Sequence, residues 1–135
     1  MSNKCLMAAV LGLALGGSAQ AQVALNQNDH ITQSLVAAKV ADEIRNTCAS
    51  ISARYLVVFQ KMGELEDYAR AGGYTETEVR AFLKDKGEKA RITALAQAYL
   101  TEAGAVPGDE ESFCLAGRGE IAAETLAGSL LSSWK

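Results

Sequence analysis

The spacing of apolar residues constrains this chain more than any other feature. They recur every three or four positions along nearly its whole length, and the β-branched residues are scattered rather than alternating. A single proline and a high alanine content agree with that period. The expectation is an all-α fold, a small bundle of about four helices.

Local signals divide the chain further. Asp29 can cap a first helix whose buried stripe is Ile31, Leu35, Ala38, Ala41, Ile44 and Cys48. A break falls at Cys48-Ala49-Ser50, with Ser50 as cap of a second helix. That helix carries Ile51, Tyr55, Val58, Met62, Leu65 and Ala69 on one face, flanked by Leu56 and Phe59, and Gly72-Gly73 ends it. Thr75 and Glu78 have capping-box spacing and open a third helix running to Ala103, kinked or split near Gly87. After Val106-Pro107-Gly108, Asp109 caps a last helix that carries Cys114, Ile121, Leu126 and Leu130 to Trp134.

The first 21 residues read differently. Lys4 precedes an apolar run from Cys5 to Gly17, too short to span a bilayer, and Ala19 and Ala21 fit a small-residue cleavage pattern. Residues 1–21 are therefore expected to be a signal peptide cut after Ala21, with residues 22–135 as one helical domain. The expected location is the periplasm of a Gram-negative cell, and outside the cell otherwise. No later apolar run is long enough for a membrane span, so no stable membrane insertion is expected after cleavage. The formal charge of −3, more negative still without Lys4, argues against a nucleic-acid partner.

Cys48 and Cys114 remain after cleavage. In an oxidising compartment a lone pair is expected to form a disulfide tying the end of the first helix to the start of the last. A reactive thiol needs a Cys-x-x-Cys spacing or a neighbouring base, and the sequence has neither.

Candidate chemistry is sparse. Glu120 and Glu124 are four apart, so on one helix both carboxylates share a face, as acid–base catalysis on a glycoside would need. The alternative is one structural ion pair and one solvated side chain. A helical di-metal site would want Glu-x-x-His motifs, and His30 is the sole histidine; no metal or cofactor is expected. A closed disulfide brings Arg45, Arg54 and Arg118 within about 10 Å of one another. They then form either an anion- or partner-binding notch beside Glu120, or salt bridges to Asp42, Glu43 or Glu120 that clasp the helices. Arg80, Lys84, Lys86, Lys89 and Arg91 are interrupted by Asp85 and Glu88, the pattern of a solvated face rather than a polyanion site.

A set of motifs runs along the chain: Asp42-Glu43-Ile44-Arg45 before Cys48, Ile51-Ser52-Ala53-Arg54, Ala71-Gly72-Gly73-Tyr74-Thr75, Glu88-Lys89-Ala90-Arg91 and Ala98-Tyr99-Leu100. Cys114 with Gly117-Arg118, Glu120-Ile121, and Gly128 with Leu130-Leu131 complete it. In combination they resemble the motifs of a family of small exported bacterial proteins, domain of unknown function 5333. The resemblance spans nearly all of residues 22–135. It implies an exported, wholly helical domain with paired cysteines, and it supplies no reaction. One departure is visible: Ala49-Ser50 stands where the family has a proline before Ile51.

The sequence thus leans towards a non-enzymatic periplasmic module that binds a protein partner or plays a structural role. An acid- or stress-responsive chaperone is an alternative, since acidification leaves an excess of fixed positive charge. A small cell-wall hydrolase using Glu120 and Glu124 is another.

Overall fold

Asn28 opens the first helix, not Asp29: its side-chain oxygen accepts the Ile31 N–H at 3.1 Å, and Asp29 sits in the first turn. The computed structural model describes residues 22–134, so the expected signal peptide lies outside the described residues. A short 3₁₀ turn, Leu25–Gln27, leads into α1, Asp29–Thr47. Ile31, Val40, Ala41 and Ile44 of α1 are buried, and Cys48 caps its end in extended backbone.

Beyond Cys48 the structure departs from the helical expectation. Ile51–Ala53 form a strand, β1, paired antiparallel with β2, Leu131–Ser133, so that Ile51 faces Ser133 and Ala53 faces Leu131. Ser50 caps no helix; its hydroxyl lies 3.3 Å from the Cys48 sulfur. The second helix, α2, therefore starts only at Tyr55 and runs to Ala71. The buried Ile51 and Leu131 side chains hold this ribbon to the core, and Arg54 N–H extends it by donating to the Leu130 carbonyl at 2.8 Å.

The third helix is two. α3, Glu76–Lys84, opens with the expected capping box: Thr75 N–H donates to Glu78 at 2.7 Å, and Glu78 N–H donates to the Thr75 hydroxyl at 3.1 Å. The split falls at Asp85 rather than Gly87. Its carboxylate accepts the Glu88 N–H at 2.8 Å and starts α4, Lys86–Glu102. The last expected helix is also broken. α5, Glu110–Ala122, is capped by Asp109 as expected. Glu124 then adopts a left-handed backbone (φ 52°), and Thr125 caps the four-residue α6, Leu126–Ser129. Among the described residues six α-helices thus replace about four, and the all-α class holds.

α1 is the axis of the bundle and packs on α4, α5 and α6. The main core gathers Val40, Ile44, Ile51, Ala96, Leu100, Leu130 and Leu131 around the sulfurs. Cys48 and Cys114 are disulfide-bonded with Cα atoms 5.1 Å apart, and both are buried. A smaller cluster of Ile31, Ala69 and Tyr74 secures the α2–α3 corner. The N-terminal strap crosses that corner: Gln22 donates to the Gly72 carbonyl at 2.8 Å, and the Tyr74 hydroxyl donates to the Val23 carbonyl. Among the described residues, no helix is long and apolar enough to cross a membrane.

Candidate functional site

Of the two expectations for the arginines beside the disulfide, a shared notch or structural ion pairs, the second is met at Arg45, and each of the three has a nearby acceptor. Arg45 donates to Asp42 at 2.6 Å within α1, and Arg118 donates to Glu111 at 2.7 Å along α5. Arg54 donates to the Ser129 carbonyl at 3.2 Å. Arg45 lines a crevice of about 150 Å³ with Asp42, Ala53, Tyr55 and Leu130. Local ion pairs of this kind form without ordering any distant segment, which favours them over a shared notch. The positive run on α3 and α4 is similarly interleaved: Arg80 pairs with Glu76, and Arg91 donates to Glu88 at 2.8 Å. His30 stands against the Tyr68 ring, with centroids 4.2 Å apart.

Glu120 and Glu124 do not share a helical face, because α5 ends between them. Glu124 is exposed beyond the helix end, whereas Glu120 is buried. The Tyr99 hydroxyl from α4 reaches the two Glu120 oxygens at 3.0 and 2.8 Å, and the Thr125 hydroxyl donates to Oε2. Among the described residues no cationic side chain forms an ion pair with Glu120. Two neutral donors thus satisfy a carboxylate that burial would otherwise penalise. Tyr99 in turn is pushed above the usual phenol range, first by burial and then by its hydrogen bond to Glu120 and that group's charge.

Gly128 makes this junction possible. A Cβ there would stand 2.7 Å from the Ile121 amide nitrogen and closer still to the Glu120 carbonyl group. Only glycine lets α6 abut α5 so closely and aim Thr125 at the carboxylate. Tyr99 and Thr125 also edge an apolar groove of about 450 Å³ whose walls include Val36, Val40, Leu95 and Leu126.

The remaining feature is on the outside. α2 leaves Tyr55 69%, Leu56 89%, Phe59 80% and Met62 57% exposed. At about 100° per residue these four occupy roughly one third of the helix circumference. Ala69 is the one buried residue of α2; Val57, Val58 and Leu65 pack inward, Tyr68 meets His30, and Met62 and Glu66 line a cavity of about 80 Å³ with Ile31, Leu65 and Val79. The expected buried stripe therefore fails at Tyr55 and Met62, which face solvent. Sequence reasoning placed Leu56 and Phe59 as flanks of a buried face, although their position off the Val58–Leu65–Ala69 stripe is itself the signal of a second apolar face. It also missed Tyr99 and Thr125 as partners of Glu120, since nothing local links residues so distant along the chain.

The profile of a family of unknown function (DUF5333) matches residues 23–132. The chain belongs to that family. The match takes in all six α-helices, the disulfide and the Glu120 junction of this DUF5333 domain. No curated protein and no solved structure matches it. Among the described residues of the DUF5333 domain, no group of three His, Cys, Asp or Glu side chains is placed to hold a metal ion.

Proposed function

We propose that this DUF5333 domain is an exported, non-enzymatic module that binds protein, its own kind included, through the outer face of α2. The leader expected at residues 1–21 would deliver it to the periplasm, where the disulfide is stable. One observation carries the reading: Tyr55, Leu56, Phe59 and Met62 lie together on one exposed helix face. Single exposed leucines are ordinary on protein surfaces, but a contiguous apolar patch of this kind marks an interaction site. Aromatic and methionine side chains are also the types enriched at interface centres.

Glu120 supports this reading indirectly. Its oxygens are occupied by Tyr99 and Thr125, and α5 ends before Glu124, so one helix face does not present the two carboxylates together.

The test is capture from periplasmic extract on immobilised, oxidised protein, compared with a Leu56→Glu/Phe59→Glu variant. A specific protein, the chain itself among the candidates, should be retained by the wild type and lost with the variant. Equal capture by both, or none by either, would reject the α2 face as the binding surface.

A further inference from the structure

Resting on that reading, we infer that the occupant of the α2 face is a second copy of this chain, packed antiparallel about a two-fold axis. The axis passes between Phe59 and Gly63.

Gly63 is the first reason. It lies in the interior of α2, seven residues after Leu56 and four after Phe59, on the same outer stripe, and among the described residues nothing stands within 4 Å of where its Cβ would be. No contact among the described residues calls for a glycine there, and glycine weakens a helix interior. A partner helix gives it a purpose, because a missing side chain opens a hole for an opposing knob. About the proposed axis, Phe59 of each copy enters the hole at Gly63 of the other. One complementary pair is then used twice, as an isologous interface requires.

Charge gives the direction. The apolar stripe is bounded at its start by Arg54, which also donates to the Ser129 carbonyl, and at its end by Glu66, Asp67 and Arg70, where the Asp67–Arg70 ion pair leaves a net negative charge. Antiparallel packing lays the Arg54 end of one copy beside the Glu66–Asp67 end of the other, matching opposite charges at both rims. A parallel pair would set like against like. Leu56 then covers the aliphatic stem of Glu66 on the second copy.

Area is adequate. Given about 150–250 Å² for an aromatic side chain, the four exposed apolar residues offer roughly 600 Å² per copy. Two copies with their polar rims reach the lower end of the about 1,200–2,000 Å² buried by specific interfaces. The association is consequently expected to be reversible and dependent on concentration.

The experiment is sedimentation velocity over a concentration series, on oxidised protein purified after expression of the full chain so that the cell's own processing applies. Wild type should pass from monomer to dimer. Phe59→Glu should remain monomeric, and Gly63→Leu should weaken the dimer by more than about tenfold. Both positions face solvent or open space, so at dilution, where the monomer prevails, Phe59→Glu should keep the wild-type circular dichroism and melting temperature and Gly63→Leu should match or exceed them. Arg54→Glu and Glu66→Arg should each weaken the dimer, and their combination should restore it. A wild type that stays monomeric throughout overturns the second-copy assignment, while the capture comparison above separately decides whether α2 binds any protein. A dimer indifferent to Phe59→Glu and Gly63→Leu overturns its placement on α2, and failure of the charge swap to restore association overturns the antiparallel register.

Discussion

Replacing Gly128 with alanine should destabilise the protein although it adds one methyl group and improves helix propensity. The new Cβ would meet the α5 backbone, 2.7 Å from the Ile121 nitrogen and nearer to the Glu120 carbonyl. An ordinary carbon–oxygen contact is about 3.3–3.6 Å, so α6 must retreat. The retreat moves buried Ala127 and Leu130 and withdraws Thr125 from the Glu120 carboxylate. Overpacking costs about 1–3 kcal/mol, and a weakened hydrogen bond to a buried charge adds about 1.5–3. The gain in propensity over glycine returns about 1 kcal/mol. The net loss is about 1.5–5 kcal/mol, out of a typical total of about 5–15. At about 4 °C per kcal/mol for a domain of this size, the melting temperature should fall by about 10 °C. Gly119→Ala is the matched control, because a Cβ at that α5 position meets nothing within 4 Å. It should stabilise the protein by about 0.5–1 kcal/mol. Thermal and urea unfolding followed by far-ultraviolet circular dichroism read both variants. Equal or greater stability of Gly128→Ala would refute the close approach of α6 to α5.

The same junction makes two further predictions. Tyr99→Phe leaves Glu120 with Thr125 as its remaining side-chain donor and should cost about 1.5–3 kcal/mol in urea unfolding. Because the Tyr99 pKa is raised in the folded state, first by burial and then by Glu120, its contribution is whole below the ordinary phenol value of 10 and is lost as pH climbs from there through the raised value. Melting temperatures across that alkaline window should fall less steeply for Tyr99→Phe than for wild type; parallel profiles would remove Tyr99 as the cause. Replacing Cys48 and Cys114 together with alanine opens the loop the disulfide closes and should cost about 4 kcal/mol, measured against oxidised wild type in the same unfolding assay.

What was legible in the sequence is what short-range physics decides. The capping box at Thr75 and the cap at Asp109 need only a side chain and the next helical turn, and both stand where the residues place them. Asn28 and Asp29 are adjacent and equally good caps by type, so the choice between them rests on backbone geometry. Asp85 with Glu88 repeats the capping spacing, and the break falls there, two residues before the glycine where it was expected. The pairing of residues 51–53 with 131–133 has no local trace, because three-residue strands carry no period and gain their partner only when the chain closes. The disulfide was readable from the expected compartment and the count, and Asp42 from its spacing to Arg45, but Glu111 for Arg118 and the Ser129 carbonyl for Arg54 were not, since neither stands at a short helical spacing.

The two faces of α2 are separable, and the separation tests whether its exposed residues serve folding at all. Inward, Val57, Val58 and Leu65 pack on the two clusters and Ala69 is buried. Outward, Leu56 and Phe59 are almost as accessible as in an extended chain, so they forgo most of the about 1.5–3 kcal/mol that burying each would provide. A glutamate at either position should therefore leave the melting temperature of the dilute monomer within the small range of surface substitutions, about 0.5 kcal/mol. Val58→Ala, one residue away, removes packed methyl groups and should destabilise clearly at every concentration. At higher concentration the comparison changes: association stabilises the wild type by mass action, so its melting temperature should rise with concentration while that of Leu56→Glu stays flat. Differential scanning calorimetry over a dilution series reads both behaviours. If Leu56→Glu lowered the melting temperature of the dilute monomer as much as Val58→Ala does, the outer face would belong to the fold of the monomer, and the reasoning that makes it an interface would be wrong.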